Sequence, residues 1–328
     1  MKISIIGTAH MHVNSYVSIL KKQGIVIEGV YDHNEVVGNN FCQREHLKFY
    51  SSLEELLSRD FDAVLICSEN IYHKELVLKA CSAKKHILVE KPMALSTNDC
   101  QEMISVAKKE NVQLMVAHPV RFSKPVMDLK RIVDKKLLGS VISINSANHG
   151  KNPGGWFVNP VLSGGGALID HTVHILDVVN YLFRLIPTDV SAFSKKSDQS
   201  LLVEDSGLVG INFSNGVILS LDTSWNRPKS YPVWGDAILE INFEKGYVII
   251  DGFGRKMKFF DNHSTNISEI FYEPDMDSTM VNGFIDAIEN NSTVPVTGED
   301  GLYTVRITES ALKSAEYKKT ILLSEEYL

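Results

Sequence analysis

Asp170 and His174 lie four residues apart in a run, Leu168 to Phe183, that is otherwise almost wholly apolar. Residues i and i+4 share a helix face, so the two side chains project together, and Asp177 and Tyr181 continue the same stripe. A polar stripe on so apolar a helix either finds hydrogen-bond partners in a core or lines a cavity. A histidine titrating near ~6.5 can take a hydroxyl proton, and a lysine ammonium can stabilise the alkoxide that develops. The lysine suited to that task is Lys91, in Val89-Glu90-Lys91-Pro92 at the end of an apolar run. Pro92 restricts the Lys91 backbone to extended geometry and helps aim its side chain at the strand's carboxyl end. Outside a site, the same lysine would be a solvated loop residue.

A second group has the spacing of a nucleotide site. The run Ile3 to Ile6 ends in Gly7-Thr8-Ala9-His10-Met11-His12 and passes into a helical pattern. At such a junction a dinucleotide pyrophosphate sits on backbone N–H groups. Of the GxGxxG glycines only the first is present, with Ala9 and His12 at the other two positions. Asp32 closes the second strand in Gly29-Val30-Tyr31-Asp32, near the ~20-residue offset at which a carboxylate bonds the adenosine ribose. That carboxylate would repel a 2′-phosphate, which favours NAD over NADP.

Other residues leave their readings open. His10-Met11-His12 is also an HxH, and with His118, His149, His171 and Asp170 it offers ligands to a metal hydrolase. HxH hydrolases of that kind are eight-stranded barrels, whereas this chain changes from parallel to antiparallel patterning after about residue 140, so no metal ligand is assigned. Trp156 and Phe157, beside Gly154-Gly155, suit the apolar face of a sugar ring or ordinary packing. Arg121 suits a substrate or phosphate oxygen, or else a salt bridge.

The elements that must carry these groups follow from periodicity. Ile3 to Ile6, Ile25 to Tyr31, Ala63 to Cys67, His86 to Val89 and Gln113 to Ala117 read as buried parallel strands. Helical spacing at Val13 to Lys22, Leu53 to Leu57, Lys74 to Ala83 and Asn98 to Glu110 separates them, giving a doubly wound α/β sheet, a Rossmann domain, over residues 1–120. Beyond Arg121 come helices at Pro125 to Lys136 and Leu168 to Phe183 and a strand at Val141 to Ala147. Alternating strands then flank Ser214-Asn215-Gly216 and Glu244-Lys245-Gly246, and helical patterns cover Thr279 to Glu289 and Gly301 to Lys318. Residues 121–328 therefore form a second, α+β domain with a mainly antiparallel sheet, and the expected site lies between the two domains.

Composition bounds the function. A length of 328 residues suits two domains with ordinary cores. Lys and Arg total 33 against 40 Asp and Glu, a net charge of −7, which is the wrong sign for a nucleic-acid partner. No stretch approaches the ~18 apolar residues of a membrane helix. Cys42, Cys67, Cys81 and Cys100 have no CxxC spacing and read as reduced thiols, which together with the lack of a signal-peptide pattern points to the cytoplasm.

Several ordered segments together resemble the Gfo/Idh/MocA oxidoreductase family over nearly the whole chain. Glu90-Lys91-Pro92 is similar to that family's EKP signature, and Asn70 with His73 to its TPN-x-x-H stretch. Arg121-Phe122 with Pro125 is similar to R-F-x-P. Gly164-Gly165-Gly166-Ala167-Leu168-Ile169-Asp170 with His174 is similar to GGG-x-L-x-D-x-x-x-H, and Gly298-Glu299-Asp300-Gly301 to G-E-D-G. The resemblance implies an NAD(P)-dependent dehydrogenase or reductase of sugars, inositols or related polyols, with an open-faced sheet that supports a homodimer or homotetramer. It implies Lys91 and His174 as catalytic and Asp170 as the residue orienting substrate. Gly7, Thr8, Ala9, His10, Met11, Asp32, Ser68, Asn70, His73, Glu90 and Lys91 would then face the cofactor. Arg121, Trp156 and His171 would join Lys91, Asp170 and His174 on the substrate. For hydride transfer from a secondary alcohol, His174 is the general base and Lys91 stabilises the alkoxide. The sequence departs from the family in its reduced glycine fingerprint, in Glu69 where TPN has proline, and at His171-Thr172, where an apolar residue and glycine are usual. The reduced fingerprint is the motive for one further alternative, a sensor that binds nucleotide or sugar without turnover.

Overall fold

The computed structural model describes residues 1–254, 256–261, 267–271 and 276–323. The chain divides into two compact units: Met1–His118 with Asp277–Leu302, and Pro119–Met276 with Tyr303–Leu328. The segment Asp277–Leu302, read from the sequence as part of the second domain, belongs to the first unit.

In the first unit the strands are β1 (Lys2–Ile6), β2 (Val26–Tyr31), β3 (Phe49–Tyr50), β4 (Ala63–Ile66), β5 (His86–Glu90) and β6 (Leu114–Ala117). They form one parallel sheet in the order β3-β2-β1-β4-β5-β6. The order reverses between β1 and β4, where open α/β sheets bind ligands at the strand carboxyl ends. The helices are α1 (Val13–Lys22), α2 (Glu35–Glu45), α3 (Leu53–Leu57), α4 (His73–Ser82) and α5 (Thr97–Glu110). Buried Ile3, Ile5, Val64, Leu65, Ile87 and Val89 explain the continuous apolar strands: in a doubly wound sheet both faces are covered. Gly7 sits at φ +80°, and a Cβ there would lie 2.6 Å from the Ser68 backbone, so the end of β1 needs glycine where it passes the end of β4.

The second unit contains α6 (Lys124–Asp134), α7 (Pro160–Ser163), α8 (Ala167–Phe183) and a nine-stranded sheet. Its strands are β7 (Val141–His149), β8 (Pro187–Lys195), β9 (Ser206–Phe213), β10 (Ile218–Ser224), β11 (Ile238–Phe243), β12 (Gly246–Asp251), β13 (Lys256–Asp261), β14 (Ile267–Phe271) and β15 (Ile321–Leu322). The order is β14-β13-β12-β11-β7-β10-β9-β8-β15, and every pairing is antiparallel except β7 with β10. Burial alternates along β9 to β12, so one face packs on a core of Leu168, Leu176, Val179, Val209, Leu219 and Ile241 while the other is open. The closing helices are α9 (Met276–Glu289) and α10 (Gly298–Tyr317).

Gly166 explains the glycine run before α8. A Cβ at Gly166 would lie 1.8 Å from the Glu204 carbonyl oxygen, and the backbone cannot yield that distance locally. Gly166→Ala is expected to destabilise the protein by at least about 2 kcal/mol. Gly210→Ala, whose nearest atom is 3.8 Å away, is the matched control. Thermal unfolding followed by circular dichroism would show a lowered transition in the first variant alone, and equal transitions would discount the close approach.

Candidate active site

The polar groups of the first unit gather at the carboxyl ends of β1, β2, β4 and β5. Gly7 donates its N–H to the Tyr31 carbonyl at 2.7 Å, and His10 donates its backbone N–H to the Cys67 carbonyl at 2.9 Å. Asp32 is 3% exposed, and its Oδ2 accepts both the backbone N–H and the hydroxyl of Thr8, at 2.7 and 2.6 Å. Its Oδ1 accepts the Asn34 N–H at 2.8 Å. A carboxylate has about four lone-pair sites, so these three bonds fix Asp32 and leave acceptor capacity for a ribose hydroxyl. The first turn of α1 has no acidic residue, so the positive end of its dipole suits an anion. The β1–α1 turn and Asp32 thus fit a dinucleotide.

Three other expected cofactor residues are engaged internally. Glu90 is buried, and its Oε1 accepts the Tyr16 hydroxyl at 2.6 Å and faces His12 Nδ1 at 3.1 Å and His10 Nδ1 at 3.5 Å. Its Oε2 accepts the Lys91 N–H at 3.2 Å. Burial alone would raise the Glu90 pKa, but His10, His12 and Tyr16 outweigh it and hold the carboxyl far below its ordinary range. Burial opposes charge on His12 too, yet Glu90 prevails and raises the imidazole pKa. His73, read from the sequence as a cofactor contact, is fully buried, with Nδ1 2.9 Å from the Pro92 carbonyl and Nε2 3.2 Å from the Ser68 carbonyl. It staples the loop after β5 to the loop after β4, and burial lowers its pKa despite both carbonyls. Asn70 is buried in a single turn, Ser68 and Lys91 are buried, and Met11 is exposed.

In the second unit α8 carries Asp170 and His174 on one face, as their spacing requires, and both are nine-tenths or more buried. Asp170 Oδ2 accepts the Trp225 indole N–H at 3.1 Å and lies 3.3 Å from His171 Nε2. His171 Nδ1 lies 2.8 Å from the Asn148 carbonyl. The His174 ring meets Phe253 edge to face, with centroids 6.3 Å apart. His171 therefore supports Asp170 from within the fold. Arg121 is committed elsewhere: its guanidinium pairs with buried Asp177 through Nε at 2.9 Å and through Nη2, and lies over the Tyr181 ring. The expected contact of Arg121 with substrate gives way to this internal pair. Trp156 stacks on Phe157 at 3.9 Å beside a small core of Ala167, Val203 and Trp225.

The sequence reading missed Tyr16, Trp225 and Glu204. Glu204 Oε1 accepts the Gly166 and Leu168 N–H groups at 2.8 and 3.2 Å, filling the N-terminus of α8. A buried tryptophan needs a partner for its N–H, which was the one available signal for Trp225. Among the described residues, the group with metal-ligating spacing is His10, His12 and Glu90, while His149 is paired with Asp236 and Asp222.

Two family profiles match the chain: an oxidoreductase family with an NAD-binding Rossmann fold over residues 1–118, and a GFO/IDH/MocA C-terminal domain over residues 126–249. The chain is 28% identical over 296 residues to myo-inositol 2-dehydrogenase of Thermotoga maritima, 85% of each protein. It is 30% identical over 239 residues to glucose-6-phosphate 3-dehydrogenase of Bacillus subtilis, 68% of this chain and 67% of that one. The solved structure of levoglucosan dehydrogenase in complex with NADH shares the fold, with a TM-score of 0.89 over 99% of both chains at 18% identity. The alternative reading, a metal hydrolase, is not favoured by the family matches.

One pH dependence follows from the Asp236 cluster. The hydrogen bond to Asp236 raises the His149 pKa, Asp222 adds to it, and Arg227 also bonds Asp236. A raised folded-state value means that the His149 contribution is complete below its ordinary value near ~6.5 and fades as pH climbs through the raised one. The melting-temperature gap between wild type and His149→Gln is therefore expected to be wider at about pH 6 than at about pH 9. A gap that does not change with pH would exclude a charged His149 in the folded state.

Proposed function

The chain belongs to the Gfo/Idh/MocA oxidoreductase family and has its NAD-binding Rossmann fold, and on that premise we propose that it transfers hydride between a nicotinamide cofactor and a sugar, inositol or related polyol. The observation that carries this reading is the fixed carboxylate of Asp170 one helical turn before His174, held by Trp225 and backed by His171. A carboxylate held in this way can orient a vicinal hydroxyl while the histidine accepts the proton of the neighbouring one. The relatives named for inositol and hexose phosphate dehydrogenation support a polyhydroxy substrate.

The nicotinamide, when bound, supplies the hydride acceptor. On this reading His174 would take the hydroxyl proton, Lys91 would stabilise the developing alkoxide, and Asp170 would hold the adjacent hydroxyl. In the reverse direction the same histidine returns the proton to the carbonyl oxygen. Asp32, fixed by Thr8 and Asn34, favours NAD over NADP. Four buried free cysteines are compatible with a reducing, cytoplasmic setting.

Steady-state kinetics on a panel of polyols and sugars, read by nicotinamide absorbance, tests the assignment. Lys91→Ala and His174→Ala are each expected to lower kcat by roughly 10²–10⁴-fold, with NADH affinity retained to within about threefold in His174→Ala. Asp32→Asn is expected to weaken NADH binding and to narrow its advantage over NADPH. Wild-type turnover in either catalytic variant would remove the mechanism.

The open face of the nine-stranded sheet exposes Ile142, Phe193, Leu208 and Ile218, with Phe193 71% exposed. An apolar face of this kind suits a homodimer or homotetramer. Light scattering is expected to give a multiple of 36.6 kDa, reduced toward the monomer by Phe193→Glu. A monomeric wild type would discard the proposal.

A further inference from the structure

Glu90 Oε1 is the target of more groups than one oxygen ordinarily serves. Tyr16 donates to it at 2.6 Å, His12 Nδ1 lies at 3.1 Å and His10 Nδ1 at 3.5 Å, all within the first unit. A carboxylate oxygen has two lone pairs, and 3.5 Å is long for an N–H···O bond. The separations have another explanation. Two ligand atoms at 2.0–2.1 Å from a tetrahedral ion are about 3.3 Å apart, and the two imidazole distances lie within about 0.2 Å of that edge, the tolerance expected of a metal site.

From this geometry we propose that His10, His12 and Glu90 form a binding site for a divalent transition ion of the zinc class. The ligating residues are His10, His12 and Glu90, each of which offers one ligand atom within 4.8 Å of the other two. Two imidazoles and a carboxylate are the donor set of open zinc sites, which keep a fourth position for water. His10 and Glu90 are buried, while the His12 side chain is 28% exposed and provides the route of entry. The surroundings are those of a supported site: Tyr16 hydrogen-bonds the ligating oxygen of Glu90, and the Lys91 N–H bonds its other oxygen. The dipole of α1 opposes a cation at its first turn, and the Glu90 charge offsets that opposition. The ion would tie the β1–α1 turn to the end of β5 at the place where the glycine fingerprint has His12. It is distinct from hydrolytic chemistry and holds whether or not the oxidoreductase reading does.

The test is a cobalt(II) titration of the chelator-treated full-length protein, followed by visible absorption, which reports four-coordinate cobalt independently of turnover. One equivalent is expected to give an intense visible band that zinc abolishes. His12→Ala and Glu90→Gln are each expected to remove the band or to weaken binding at least tenfold. His149→Gln, in the second unit, is expected to leave it in place. If Glu90→Gln does not fold, His12→Ala decides by itself, because its partly exposed side chain is not part of the core. Absence of a saturable band in the wild type, or a band that survives His12→Ala, would overturn the proposal.

Discussion

Helix α8 is buried along almost its whole length, yet it carries Asp170, His171, His174 and Asp177. An ionisable group taken out of water must be paired or it destabilises the fold by several kcal/mol. Much of the second unit is the answer to that constraint. Arg121 meets Asp177 with two N–H groups, Trp225 reaches Asp170 with its indole, and the Asn148 carbonyl receives His171. Glu204 fills the first turn, where free N–H groups would otherwise be buried. Each partner comes from a different part of the chain, so the polar side chains of α8 are held by the packing that stabilises the unit.

The first unit solves the same problem with two carboxylates. Asp32 braces the turn after β1 through Thr8, and Glu90 braces the start of α1 through Tyr16 and His12. A Gly-rich loop leaves this region to the backbone and its bound phosphate. Here side-chain hydrogen bonds do part of that work, which accounts for a turn that keeps its shape with Ala9 and His12 where glycines are usual. The Rossmann topology sets the positions of β1, β2 and β5, and these bonds fix the residues at their ends.

What could be read from the sequence was whatever depends on near neighbours. The i, i+4 relation of Asp170 and His174 survives because α8 is a regular helix, and α1 and α3 have the bounds their periodicity gives. Helix α2 was missed because Glu35–Glu45 contains Gly38, Asn39 and Asn40 and only a faint apolar face, and β3 because two residues have no period. The parallel pairing of β7 with β10 was equally hidden, since alternation shows which face is buried but not the direction of a neighbour. Site partners were lost for the same reason. Tyr16 and Glu90 are 74 residues apart, Asp170 and Trp225 are 55, and Arg121 and Asp177 are 56. No local pattern encodes such pairs, so Arg121 read as a hand for substrate when it is a counter-ion.

The first unit is not contiguous. Met115 in β6 pairs with Thr297, Val116 donates its N–H to the Val296 carbonyl, and Ser15 on α1 bonds Asp277. Topologically, the two units interleave: most of the second lies between His118 and Asp277, and its final segment, Tyr303–Leu328, follows the last residue of the first. Synthesis at about 5–20 residues per second, with domains ordinarily folding in order of emergence, then has an unusual consequence. The amino-terminal sheet exists in outline once residue 118 has been made, but its last edge contacts wait until the chain has passed residue 302. The second unit waits in its turn for Tyr303–Leu328, where Ile307 and Ala311 join its core and β15 pairs with β8, so each unit is closed by a segment made after the bulk of the other.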